Sequence, residues 1–90
     1  MVKGMVKIVN PLGLHARAAA QLVKLAGKYS STILLHRSDT FTNADAKSIL
    51  SVLSLAAPIG TVLEISADGH DEAEALSDVS LLFKNGFGEL

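Results

Sequence analysis

Residues 10–20 read NPLGLHARAAA, and their reading decides what the rest of the chain can be. Asn10, Pro11 and Gly13 are the residue types that stop a strand and turn the chain. His15 and Arg17 then stand two apart, ahead of a run of alanines, the strongest helix formers. A helix therefore begins near Ala16. No Ser, Thr or Asp stands at 12–16 to accept from its first N–H groups. Those groups lack intrahelical partners and lie at the positive end of the helix dipole. Together they make a place ready for an anion.

With His15 at the cap position, the N–H groups of Ala16, Arg17 and Ala18 point toward its ring. Arg17 adds a fixed charge and a planar fork suited to phosphate oxygens. Ala16 and Ala18 are too small to screen the ring. A neutral imidazole is a competent nucleophile near neutral pH. These parts suit a histidine that accepts and releases a phosphoryl group. They also suit a surface histidine beside a helix start, and spacing alone leaves both readings open.

Outward from this stretch, Val2, Gly4, Val6 and Ile8 alternate with Lys3, Met5 and Lys7, the period of a half-buried strand. After it, Ala19, Leu22, Val23 and Ala26 share one helical face. Taking about 100° per residue, Arg17, Lys24 and Lys28 fall on the opposite side within roughly 40° of one another. Gly27 is the expected stop, with Lys28 in the last turn. Residues 31–37 (STILLHR) are β-branched and apolar enough for a second strand, and 41–43 (FTN) for a short third. Asn43 or Asp45 would cap a helix through 47–55 (KSILSVLSL). Pro58 and Gly60 close it, 61–67 (TVLEISA) is a fourth strand, and 68–83 (DGHDEAEALSDVSLLF) a last helix. Its acids Asp71, Glu72 and Glu74 sit where the dipole favours them, and Ala75, Leu76, Val79, Leu82 and Phe83 form its buried face. The order β-α-β-β-α-β-α predicts an α+β fold with one sheet and helices on one face, as a single domain over 1–90.

Composition narrows the function. Ninety residues hold no cysteine, which removes disulfides and thiolate metal sites. No apolar run approaches the ~20 residues that span a bilayer, so membrane insertion is not expected and the chain reads as cytoplasmic. His36 and His70 lie near no other ligand at metal-site spacing, so no metal or cofactor is expected. Residues 1–37 hold six cations and no acid, while 38–90 hold two cations and all nine acids. That asymmetry points to an acidic partner for the first half. Nucleic acid is not expected, because one tyrosine, Tyr29, makes no stacking platform.

Two separated segments resemble one family. GLHARAAAQLVKLAGKYSSTILL (13–35) is similar to the active-site helix and second strand of HPr, the histidine-containing phosphocarrier of the phosphoenolpyruvate phosphotransferase system. AKSILSVLSLAAPIGTVLEISADGHDEAEAL (46–76) is similar to the family's second signature and last helix. The resemblance implies an open-faced sandwich, a four-stranded antiparallel sheet covered on one face by three helices. It implies that His15 Nδ1 takes a phosphoryl group from phosphorylated enzyme I and passes it to an enzyme IIA domain, assisted by Arg17. The protein would then be a monomeric carrier rather than an enzyme with its own small-molecule reaction. Ala20, Lys24, Ile49, Leu50 and Leu53 match partner-docking positions, with Leu50 expected exposed and Val52 expected in the core. Ser48 matches a serine phosphorylated by HPr kinase in some bacteria, a route to control of a transcriptional regulator. An alternative within the same fold is a regulatory module that binds a transcription factor or enzyme without transferring phosphate. Ala18 stands where the family usually has proline, and Leu12 where some members have a polar side chain. The loop at 38–42 is slightly longer than usual. The ending LFKNGFGEL (82–90) is similar to the nitrogen-related branch, so sugar transport and nitrogen-type regulation both stay open.

Overall fold

The computed structural model describes residues 1–90. The elements run β1 (Val2–Lys7), α1 (Ala16–Ala26), β2 (Thr32–Arg37), β3 (Thr42–Asp45), α2 (Ile49–Ser54), β4 (Val62–Asp68) and α3 (Glu72–Lys84), then a 3-10 turn over Gly86–Gly88. The four strands form one antiparallel sheet in the order β1-β4-β2-β3. This is the α+β open-faced sandwich expected from the sequence.

Alternation builds the two faces. Along β4, Leu63, Ile65 and Ala67 are buried while Val62 is exposed and Glu64 and Ser66 are partly so. Val6, Ile33 and Leu35 join them beneath the helices. From above come Ala18, Ala19, Leu22 and Ala26 of α1, Val52 of α2, and Ala75, Val79 and Phe83 of α3. Each fully buried Leu, Ile or Phe contributes about 1.5–3 kcal/mol of transfer free energy. Val52 is buried and Leu50 is 78% exposed, both as expected.

Several boundaries differ from the sequence reading. Lys28 lies beyond α1, which leaves Lys24 as the cation of its last turn. The third strand begins after Phe41, not at it. Phe41 is 84% exposed at φ 55° in the hairpin, a left-handed conformation that cannot extend a strand. Asp45 therefore ends β3, and neither Asn43 nor Asp45 caps α2. Ser48 does, its hydroxyl oxygen accepting from Ser51 N at 3.3 Å. In α3, Leu76 and Leu82 are half-buried, and the helix starts at Glu72 instead of Asp68. Asp71 does not cap it. Its carboxylate reaches across to accept from Ser30 N (2.9 Å), Ser31 N (3.0 Å) and the Ser31 hydroxyl. The Ser31 hydroxyl bond first, then the Ser30 amide bond, hold that carboxyl well below its usual range.

Candidate functional site

The turn at 10–13 sets the site. Gly13 N donates to Asn10 O at 3.0 Å, and Gly13 has φ +68°. A β-carbon there would lie 2.7 Å from Ala57 O, so glycine is required on two counts. Leu14 N donates to the same carbonyl at 2.9 Å, pinning the turn to the segment after α2. The chain then enters α1 with His15 as its N-cap.

His15 fills the cap with its own ring. Arg17 N donates to Nδ1 at 3.3 Å, a long bond. The expected set of three open donors is therefore corrected. The N–H groups of Ala16 and Ala18 take no acceptor in the chain, while that of Arg17 is turned toward Nδ1. Ala18 is corrected as well: its side chain is fully buried against the core, so it leaves the ring open by being absent from the surface rather than by being small. Ala16 and Arg17 are exposed, and the Arg17 guanidinium enters no ion pair.

The other ring nitrogen has a partner that no local pattern announced. His15 Nε2 meets Glu89 Oε2, 74 residues away, and Asn10 Nδ2 donates to Glu89 Oε1 at 3.0 Å. The Asn10 bond first, then the His15 bond, lower the Glu89 carboxyl below its ordinary value, and the Arg17 charge adds to this. A carboxylate at Nε2 and an amide N–H at Nδ1 are compatible with one neutral tautomer, proton on Nε2 and lone pair on Nδ1.

Glu89 is carried by a built-in anchor. Phe87 is buried at φ 55°, edge-on to Phe83 with ring centroids 5.0 Å apart. Gln21 Nε2 donates to Phe87 O at 3.2 Å. The sequence signal was GFG at 86–88, an aromatic residue between two glycines free to adopt positive φ, but nothing local in it pointed to His15.

The residues expected to dock partners are mostly exposed. Arg17, Ala20 and Lys24 are exposed along α1 at spacings of three and four, one stripe of a helix. α2 packs against α1 and presents Ile49 and Leu50, while Leu53 is half-buried. Leu12 is 67% exposed near the same end. His36 and His70 lie apart from this site. His36 Nδ1 pairs with Asn43 Oδ1 at 2.6 Å and His70 Nδ1 with Ser30 Oγ at 3.1 Å.

A family model described as the PTS HPr component phosphorylation site matches residues 2–85. The chain belongs to the HPr family. It is 46% identical over 82 residues to the phosphocarrier protein HPr of Cupriavidus necator, covering 91% of this chain and 90% of that one. It is 44% identical over 88 residues to the phosphocarrier protein NPr of Klebsiella oxytoca, covering 98% and 97%. Among solved structures, HPr-C-His of Thermoanaerobacter tengcongensis superposes with a TM-score of 0.93 at 39% identity, covering 100% of this chain and 99% of that one. HPr and NPr relatives thus match at comparable identity. The chain is a member of a phosphocarrier family, and no helix in it is long and apolar enough to cross a membrane.

Proposed function

We propose that this protein accepts a phosphoryl group on Nδ1 of His15 from phosphorylated enzyme I and passes it to a histidine of an enzyme IIA domain. It acts as a carrier with no separate small-molecule reaction and no cofactor. The observation that carries the reading is His15 at the N-cap of α1, with Nδ1 beside the first amides and Nε2 on Glu89. A phosphoryl group on Nδ1 would meet the helix dipole, the free N–H groups of Ala16 and Ala18, and the Arg17 fork. Arg17, free of internal pairing, is available to the charge that spreads over the equatorial oxygens during transfer.

Partners dock on the stripe Arg17, Ala20 and Lys24 with Ile49, Leu50 and Leu53 beside it, an apolar patch edged by cations that fits an acidic, partly apolar face. Ser48 caps α2 at the rim of this patch. A phosphate there would be tolerated by the helix start and would repel an acidic partner, so a kinase acting on Ser48 would weaken docking.

The test is incubation with enzyme I and phosphoenolpyruvate. Acid-labile phosphate appears on the wild type and is absent from His15→Ala. Equal labelling of the two proteins would overturn the assignment.

A further inference from the structure

We propose that Glu89, held by Asn10, is a positioning residue whose carboxylate keeps a proton on His15 Nε2 throughout phosphoryl transfer. Nδ1 alone then presents a lone pair, and the positive charge of the phosphorylated ring is neutralised. The inference rests on the phosphocarrier reading and adds what selects the reacting nitrogen.

Both Glu89 oxygens are committed, Oε2 to His15 and Oε1 to Asn10. Asn10 is itself fully buried, and its Nδ2 also donates to Gly13 O at 2.8 Å, within the turn that delivers His15. One amide therefore ties the turn to the carboxylate. Its Oδ1 has no partner, an arrangement that costs stability and is kept where a polar group has other work. Glu89 is fixed from its own side by buried Phe87, by the Gln21 bond, and by Glu89 N donating to Gly86 O at 3.0 Å. The charged groups at the ring are Glu89 from the C-terminal turn and Arg17 from α1. The Arg17 fork suits the phosphate and the Glu89 carboxylate the Nε2 proton, so the two charges divide the work.

The step balances. The Nδ1 lone pair forms the bond to phosphorus, and the donor's bond breaks with its electron pair leaving on the donor. The product is a phosphoimidazolium with the Nε2 proton in place. Onward transfer returns the N–P pair to Nδ1. The Nε2 proton stays on the ring in both directions.

Glu89→Gln keeps the side-chain volume and removes the charge, and its amide spectrum reports whether the fold is intact. Long-range proton–nitrogen spectra of the ¹⁵N-labelled full chain are recorded before and after phosphorylation by enzyme I and phosphoenolpyruvate. The wild type shows only the Nε2–H tautomer. In the Gln variant a second, Nδ1–H population appears, and the phosphorylated ring loses about tenfold in proton affinity, the scale of one charge-assisted hydrogen bond. The turnover number for phosphorylation falls about tenfold with KM for enzyme I unchanged. Ring spectra identical to wild type, or altered spectra with an unchanged turnover number, would overturn the proposal. If the wild type took no phosphate, the phosphocarrier reading would fall, and the tautomer spectra of the unphosphorylated chain would still decide where Glu89 holds the proton.

Discussion

The two nitrogens of His15 keep different company, Nε2 beside the Glu89 carboxylate and Nδ1 beside the Arg17 amide. The Arg17 guanidinium bonds neither. It is exposed and unpaired, so its removal costs the fold little. Arg17→Ala lowers the phosphorylation turnover number by about 100-fold, the usual scale for a lost donor to developing charge. Its melting temperature stays at the wild-type value. Arg17→Lys recovers only part of the rate, because an ammonium lacks the planar fork. Ala18 behaves differently. Its side chain is fully buried, so Ala18→Pro must insert ring carbons into packed space, at about 1–3 kcal/mol. It also removes one free N–H beside Nδ1. Denaturant melts should show the loss of stability. Phosphate acceptance per folded molecule should persist, since the amides of Ala16 and Arg17 remain.

At the scale of elements, β1, α1 and β4 were legible because each carries a clean period, two for the strands and 3.6 for the helix. β3 and the start of α2 were misplaced. Phe41 has the composition of a strand residue, yet the hairpin needs a left-handed backbone there. Asn43 and Asp45 were the expected caps, but the strand register uses both in β3 and the cap falls to Ser48. The start of α3 shows a side chain bonding across space instead of along the chain. Asp71 ties Ser30 and Ser31, at the foot of β2, to the head of α3. Because its folded carboxyl lies below the ordinary value of about 3.9, its stabilisation is complete above about pH 4 and is lost as the pH falls toward the folded value. Asp71→Ala therefore melts lower than wild type at pH 7, and the gap narrows below about pH 4. A gap that is constant with pH would contradict this. The C-terminal turn makes a second element-scale prediction. Gly86 has φ +59°, so Gly86→Ala strains the backbone by about 1–2 kcal/mol and shifts the anchor that carries Glu89. Ring spectra of His15 in that variant should move toward those of Glu89→Gln.

Across the whole molecule, His15, Arg17 and the exposed apolar residues of α2 lie on the helical layer, and the sheet lies beneath. His15 and Arg17 stand out in the sequence because a helix start without Ser, Thr or Asp is a local signal. Asn10 and Glu89 do not, since their contact joins positions 79 apart and depends on a C-terminal turn that closes over the site. The six-residue helix α2 holds more apolar residues than one buried stripe needs, and Ile49 and Leu50 stay exposed. Leu50→Ala removes an exposed side chain, so the melting temperature should stay within a degree or two while KM for enzyme I rises about tenfold. The proposed function puts the phosphate on one nitrogen of one histidine. The most direct measurement is a long-range proton–nitrogen spectrum of the ¹⁵N-labelled wild type after reaction with enzyme I and phosphoenolpyruvate. The expected result is phosphate on Nδ1 of His15, a proton still on its Nε2, and unchanged rings at His36 and His70. Phosphate on Nε2, or on either of the other histidines, would contradict it.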